Sequence, residues 1–152
     1  MSNRFLTKVL VLSCSAIYTH IAIATEPSLK RQQFQIATNI IDAELALNAE
    51  ERQRGLMFRE SLGENQGMMF QFAHADHYCM WMKNTLIPLS IAFIDEQGKI
   101  INIEEMKANS EETTCAKNKA RYALEMNAGW YQQRHIKAGQ YIHGLPLDTD
   151  QQ

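Results

Sequence analysis

Several features that would place this chain in a special class of protein are missing from it. Only three of its 152 residues are cysteine, too few for a disulfide-dense mini-protein or for a zinc ribbon with four cysteine ligands. The formal net charge is only −2, so the chain lacks the strong basic field typical of nucleic-acid binding. It also contains no nucleophile elbow, HExxH, phosphate loop or GxGxxG motif, so no motif identifies a reaction. What is present, 45% apolar and 21% charged residues, fits a single globular domain that folds without a cofactor.

The first 24 residues have the composition of a secretory signal peptide. Arg4 and Lys8 form a positively charged start, residues 9–17 are mostly apolar, and Ala22 and Ala24 frame a small-x-small cleavage site. The apolar stretch is shorter than the ~20 residues of a comfortable membrane span, and no later segment approaches that length. We therefore predict cleavage after Ala24 and a periplasmic or secreted protein without a membrane span.

Two alternatives to cleavage at this site are open. In the first, the segment stays uncleaved as an anchor, which its short apolar stretch disfavours. In the second, Cys14 carries a lipid that anchors the protein, since residues 11–14 loosely resemble a lipoprotein box. Leu12 is bulky at a position where that box usually has a small residue, which speaks against lipidation.

The two cysteines that remain after cleavage are predicted to form a disulfide. Cys79 and Cys115 would both reach an oxidising compartment, where a pair of thiols usually oxidises. A bridge that closes the loop between these two cysteines stabilises the folded state by about 3–4 kcal/mol, if the stabilisation comes from the lost entropy of the unfolded chain. The alternative is a redox or metal-binding role for the two cysteines. Pairs with such a role often have CxxC spacing, which this pair does not have.

The mature chain is predicted to be one globular domain at residues 33–146. Residues 25–32 are polar and predict a loose N-terminal tail, and residues 147–152 predict a C-terminal tail. No internal repeat, low-complexity tract or second domain is visible. The domain therefore accounts for nearly the whole mature chain.

Short strands dominate the predicted domain, with two short helices between them. Alternating or continuous apolar residues predict strands at 34–36, 41–47, 68–72, 79–83, 89–95, 99–106, 122–126 and 140–143. Asn48 and Glu51 form a capping-box pattern that predicts a helix over Ala49–Arg54, with Gly55 just past its end. Asn127 is predicted to cap a second helix at 130–134. Short strands joined by hairpins predict an α+β fold or a small barrel.

Six strings of the sequence together resemble the domain of unknown function family 192. They are ERQRGLMFR at 51–59, GMMF at 67–70, WMKNTLIPL at 81–89, AFID at 92–95, YALEMNAGW at 122–130 and IKAG at 136–139. The resemblance implies a small mixed β-sheet or pseudo-barrel with short helices, often in an exported protein, and it supplies no catalytic residues. Family members often carry Asp after the Pro-Leu pair, whereas this chain has Ser90.

A group of polar residues in these strings predicts a binding site for a small anion. Lys83, Asn84 and Thr85 offer an ammonium, an amide and a hydroxyl at the turn that ends the predicted strand at 79–83. Alternation on that strand would place Cys79, Trp81 and Lys83 on one face. The full set of candidate ligand-binding residues is Arg59, Trp81, Lys83, Asn84, Thr85 and Glu125.

Ordinary structural roles compete with this interpretation. Asn84 and Thr85 are also common turn residues whose side chains hydrogen-bond to local backbone. Lys83 would then pair with Glu125, and Arg59 with a surface carboxylate. The hypothesis that the sequence favours among functions is a non-enzymatic binding module for a small anionic ligand or an envelope protein.

Two further functions are kept as alternatives. Met80, Met82 and His77 could bind Cu(I), because thioether and imidazole ligands suit that ion, although methionine is more often a core residue. Lys83 and Glu125 could instead be the acid-base pair of a small enzyme.

Overall fold

The chain between residues 29 and 145 is described by a computed structural model. The predicted signal peptide at 1–24, Cys14 and the predicted tail at 147–152 lie outside these residues. Within them, no helix is long and apolar enough to cross a membrane.

Nine strands and two short helices make up the described part of the chain. In chain order they are β1 (Arg31–Ile36), β2 (Asn39–Ala46), α1 (Ala49–Arg54), β3 (Gln66–Asp76), β4 (Cys79–Met80), β5 (Leu89–Ile94), β6 (Ile100–Met106), β7 (Thr114–Cys115), β8 (Ala120–Asn127), α2 (Trp130–Gln133) and β9 (Ile142–His143). The predicted strands therefore all exist, although several bounds differ.

Seven of the strands form one mixed, curled sheet in the order β6-β5-β8-β3-β2-β1-β9. All neighbours run antiparallel except β2 and β3, whose parallel pairing requires a crossover, and α1 lies in that crossover. Tyr141, just before β9, bridges Lys99, just before β6, so the two edges of the sheet approach each other. The result is a half-barrel, which agrees with the predicted α+β class and with the fold that the resemblance implied.

Both faces of the sheet are covered by apolar side chains. One cluster is built around Phe34, Leu124 and Trp130, the last of which lies on α2. The other contains Phe70 and Phe93 on the opposite face. Every residue of β5 is therefore buried, as the nearly continuous apolar run at 89–95 predicted.

Helix α1 has the bounds and the caps that the sequence predicts. The Asn48 side chain accepts a hydrogen bond from the Glu51 N–H at 2.9 Å, and the Glu51 carboxylate accepts one from the Asn48 N–H at 3.1 Å. Gly55 follows the helix with φ +48°, a conformation that favours glycine. The capping box therefore fixes where the helix begins, and Gly55 fixes where it ends.

The predicted strand at 79–83 is wrong beyond its first two residues. Strand β4 ends at Met80 because its partner β7 is only two residues long, and the chain then turns at Lys83 and Asn84. Alternation therefore does not carry Trp81 or Lys83 onto a strand face shared with Cys79.

Two other predicted boundaries also need correction. Asn127 does not cap α2: it ends β8, and its side-chain amide donates to the carbonyls of Leu62 and Gly63. Strand β1 begins at Arg31, inside the predicted loose tail at 25–32, because Arg31 forms ion pairs with Asp42 and Glu44 on β2.

The predicted disulfide between Cys79 and Cys115 is present. The two cysteines lie directly opposite each other in the β4–β7 pair. The bridge ties the chain just before residue 81 to the irregular segment at 107–113, and it thereby positions the loop described next.

Candidate functional site

An open cleft of about 380 Å³ lies between the end of α1 and the loop of residues 81–85, which we call the site loop. Clefts that bind small molecules have volumes of about 300–1,000 Å³, so this one suits a small metabolite. Three predicted ligand-binding residues, Trp81, Lys83 and Asn84, line it together. The complete lining is Glu50, Gln53, Arg54, Met57, Trp81, Lys83 and Asn84.

Backbone hydrogen bonds hold the site loop in a defined turn. The Met82 N–H donates to the Ser110 carbonyl at 3.0 Å, and the Thr85 N–H donates to the Met82 carbonyl at the same distance. The Thr85 carbonyl in turn accepts from the Asn109 N–H at 2.9 Å. The loop is therefore anchored at both ends to the segment that the disulfide fixes.

A strained backbone contact joins the site loop to the segment that follows α1. The Phe58 N–H donates to the Asn84 carbonyl at 2.8 Å, and the two residues have φ values of +62° and +57°. Asparagine tolerates this left-handed region, but phenylalanine rarely adopts it. The Phe58 side chain is 64% exposed, so core packing does not explain the strain. Strain of this kind concentrates at functional sites, where the surrounding structure holds it in place.

The mouth of the cleft has an excess of positive charge. Arg54 on α1 and Lys83 on the site loop are cationic, and Glu50 is the only acidic residue in the lining. The Lys83 Nζ atom lies 5.4 Å from the centroid of the half-exposed Trp81 ring, a cation–π distance. Within residues 29–145 Lys83 forms no ion pair, so the alternative of a Lys83–Glu125 pair is wrong.

The floor of the cleft is a small void of about 20 Å³ that is lined by Thr85 and Glu125. Both side chains are almost fully buried, with 5% and 4% exposure. Glu125 lies on β8 between Met68 of β3 and Ile91 of β5, which are both apolar and buried. Burial away from water raises the pKa of the Glu125 carboxyl from 4.5 to about 8, so this group is mostly protonated at neutral pH.

Cleft and floor adjoin each other, since Gln53, Arg54, Met57 and Trp81 line both of them. Five of the six predicted ligand-binding residues therefore lie in one continuous depression. Glu125 is far from the site loop in sequence, so its position in this depression could not be predicted from the spacing of residues in the chain.

Arg59, the sixth predicted residue, lies elsewhere. Its guanidinium donates to the Glu44 carboxylate at 2.6 Å, and Arg31 donates to the other oxygen of Glu44 at 3.0 Å. Arg59 lines a neighbouring cleft on the other side of α1 and is absent from the lining around Lys83. Arg59 therefore pairs with a carboxylate, as the structural alternative predicted, but Glu44 is buried and does not lie on the surface.

The cation that sequence reasoning missed is Arg54. Arg54 is the last residue of α1, and this end of the helix lies between the cleft and the neighbouring cleft. Arg54 therefore lines both clefts and the floor. The sequence feature that could have pointed to Arg54 as a residue of the cleft is its place in the ERQRGLMFR string, just before the helix-ending Gly55. Its helical (i, i+4) neighbour Glu50 was visible too, but only as a helix-stabilising partner.

The residues of the copper hypothesis have different surroundings. Met82 is 1% exposed and packs in the apolar cluster around Phe70, while Met80 lines the floor of the cleft. His77 is exposed in the turn between β3 and β4. Residues 29–145 contain no group of three or more His, Cys, Asp or Glu residues that could hold a metal ion. Copper binding thus stays a prediction that no observation favours.

Ser90, which follows the Pro-Leu pair, is buried and lines neither the cleft nor its floor. Its hydroxyl donates to Glu105 at 2.6 Å and accepts from the Gly129 N–H at 2.8 Å. Glu105 also accepts from the same N–H at 3.2 Å. A carboxylate is therefore present beside Ser90, and the pair fixes the turn that leads into α2.

Comparison with protein families assigns the chain to a family of uncharacterised function. The DUF192 profile, described as an uncharacterized ACR, matches residues 32–144, and the chain belongs to this family. The resemblance drawn from the six strings is thereby confirmed. A comparison with curated proteins finds no match.

Two solved structures share the fold. One is a candidate transcription regulator from Sinorhizobium meliloti 1021, which is 31% identical, with a TM-score of 0.77 over 79% of this chain and 98% of that chain. The other is a protein of unknown function from Novosphingobium aromaticivorans DSM 12444. It is 30% identical, with a TM-score of 0.74 over 76% of this chain and 86% of that chain.

Proposed function

We propose that this member of the DUF192 family is a binding module that holds a small anionic molecule in the cleft between α1 and the site loop. One observation carries the proposal: Lys83 and Arg54 converge with Asn84 and Trp81 on a single cleft, although they come from separate elements. A carboxylate or phosphate at the mouth would meet two cations and one amide donor.

The state of Lys83 supports this assignment. Its ammonium forms no ion pair within residues 29–145, and it is held near the Trp81 ring. The Asn84 amide likewise makes no hydrogen bond within that part of the chain. Donors that the fold leaves available are the groups that a ligand can use, and an anion satisfies both of them.

The depth of the depression favours a small molecule over a protein partner. A cleft of about 380 Å³ that adjoins a small void is more suitable for a compact ligand than for a flat protein surface. A protein partner remains the outcome to consider if no small anion binds.

Titration calorimetry with acetate, butanoate and inorganic phosphate tests the proposal. We expect at least one of these anions to bind, and the variant Lys83→Ala to bind it about tenfold more weakly. Lys137→Ala is the matched control, because Lys137 is an exposed lysine that lines none of the clefts. Equal losses in the two variants, or no binding of any anion, would contradict the proposal.

A small enzyme is the second candidate, and the protonated carboxyl of Glu125 in the floor of the cleft favours it. A carboxyl that keeps its proton at neutral pH is suited to act as a general acid. Nuclear magnetic resonance of a bound anion distinguishes the two functions. A binding module leaves the spectrum of the ligand chemically unchanged, whereas an enzyme converts it in a manner that Glu125→Gln abolishes.

We also propose that the domain acts after export. The leader-like composition of residues 1–24 and the disulfide between Cys79 and Cys115 support this. The intact mass of the protein from its exporting cell is the test. A chain that begins at Thr25 and lacks two hydrogens supports cleavage, and an acylated chain that begins at Cys14 supports the lipid anchor.

A further inference from the structure

The floor of the cleft contains two polar side chains that are buried except where they line the void. Glu125 and Thr85 line the same void, and neither side chain has a hydrogen-bond partner within residues 29–145. The remaining walls combine apolar side chains, such as Phe70, with the charged Arg52 and Arg54. Buried polar groups in proteins are nearly always hydrogen-bonded, so this pair requires an explanation.

The size of the void limits what can satisfy them. A space of about 20 Å³ holds one water-sized group and nothing larger. Because four residues line both the void and the cleft above it, a ligand in the cleft can extend a terminal group downward. That group must be small, and it can satisfy both side chains by donating hydrogen bonds to their oxygen atoms.

We propose that the floor is a subsite for a primary ammonium group, which donates to Glu125 and Thr85, so that the ligand of the cleft is an amino-acid-like zwitterion. Its anionic end lies at the mouth beside Lys83 and Asn84. This inference rests on the proposed function, which places an anion at that mouth.

An ammonium suits the floor better than other groups of the same size. A second carboxylate would lie against the Glu125 carboxyl. Arg52 and Arg54 also line the void, but the Arg52 guanidinium is already held by two backbone carbonyls. A hydroxyl could donate one hydrogen bond, but an ammonium offers three donors and can form a neutral pair with an ionised carboxylate. Burial of Glu125 strengthens such a pair, because two charges attract each other more strongly away from bulk water.

Binding of the ammonium should displace the proton of Glu125. The charged residues that line the void with this carboxyl are Arg52 and Arg54 from α1, while Glu50 and Lys83 line the adjoining cleft. Burial raises the pKa of the Tyr131 phenol, and the charge of Glu125 raises it further. The Arg52 guanidinium is held by the carbonyls of Leu47 and Gln71, so it does not turn into the void.

Matched series of small acids test the inference by calorimetry. The zwitterions are glycine, β-alanine and 4-aminobutanoate, and the matched acids are acetate, propanoate and butanoate. The hydroxy acids of the same lengths form a third series. We expect one zwitterion to bind at least tenfold more tightly than its matched acid, with release of close to one proton at pH 7.

Two variants assign that preference to the floor. Glu125→Gln keeps the shape of the side chain and should abolish the preference for the zwitterion and the proton release. Thr85→Val, which keeps the backbone hydrogen bonds of the site loop, should reduce the preference about threefold. Glu111→Gln, at an exposed site outside the cleft, is the control and should change nothing.

The outcomes separate this inference from the function on which it rests. If acids and zwitterions bind equally, and both depend on Lys83, the anion site stands and the ammonium subsite is refuted. If a hydroxy acid binds as tightly as the zwitterion, without proton release, the floor takes a neutral donor and the inference fails. If nothing binds, both proposals fall.

Discussion

Replacement of Glu125 by glutamine should remove most of the pH dependence of stability between pH 5 and pH 8. The carboxyl is buried between apolar side chains of β3 and β5, and burial raises its pKa from 4.5 to about 8. In the unfolded chain this group returns to its ordinary pKa. The folded state therefore holds one more proton than the unfolded state between those two values.

The sign of the effect follows from this difference in bound protons. The contribution of Glu125 to stability is fully present below about pH 4.5 and is lost as the pH rises toward 8. A pKa difference of this size corresponds to about 4–5 kcal/mol in total, and the part lost between pH 5 and pH 7 is about 2.5 kcal/mol. Glutamine does not ionise, so the variant keeps that part.

Urea unfolding at pH 5, 6, 7 and 8 measures the prediction directly. We expect the stability of Glu125→Gln relative to the natural chain to increase by about 2.5 kcal/mol from pH 5 to pH 7. A cost of burying the amide would shift all four values equally and leave the slope intact. The other resolved pKa shifts within residues 29–145 are lowered values for Glu51 and Glu104 and a raised value for Tyr131, which act outside this pH window.

The control for this experiment is Glu111→Gln, which should follow the natural chain at every pH. Parallel profiles for Glu125→Gln and the natural chain would refute the reasoning, because they would mean that the buried carboxyl has an ordinary pKa. A steeper decline in the variant would have the same consequence.

Three further predictions concern the elements that surround the cleft. Arg59→Ala should lower the free energy of unfolding by only about 0.5–1 kcal/mol, because the Arg59 side chain is half-exposed and Arg31 still pairs with the buried Glu44, and calorimetry should find anion binding unchanged. A loss of binding equal to that of Lys83→Ala would return Arg59 to the site. Asn48→Ala should cost about 1 kcal/mol in urea unfolding, since it removes one half of the capping box, and an unchanged midpoint would mean that the cap contributes nothing. Reduction of the Cys79–Cys115 disulfide should cost about 3–4 kcal/mol and weaken anion binding, because the bridge anchors the site loop. Full binding by the reduced protein would show that backbone hydrogen bonds alone hold the loop.

Local patterns in the sequence were sufficient for the elements whose causes are local. The capping box at Asn48 and Glu51 set the start of α1, and the apolar run at 89–95 marked the central strand. These predictions are correct because each depends on residues within a few positions of one another. The strand at 79–83 failed for the opposite reason. The length of this strand depends on how many residues of β7 can pair with it, and β7 lies 36 positions further along the chain.

The six sequence strings also contain most of the polar residues of the cleft, but they do not reveal how these residues are arranged in space. Lys83, Asn84 and Thr85 are adjacent in the chain, so their proximity was guaranteed by the backbone. Arg54 and Arg59 are also close to each other in sequence. Only Arg54 lines the cleft beside the site loop, because the Arg59 guanidinium binds Glu44 instead. Which of two nearby cations reaches a site is decided by the partners that the fold presents to each.

The sequence by itself determined the family, the disulfide pair, the short capped helix and the strand-rich class, since each is encoded by local periodicity or by a small set of residues. Only the tertiary structure decided that Glu125 becomes the buried floor of a cleft. That position depends on the register of β8 between β3 and β5, where a shift by one residue would turn the carboxyl to the opposite face of the sheet. The raised pKa and the proposed ammonium subsite follow from this long-range register and its burial.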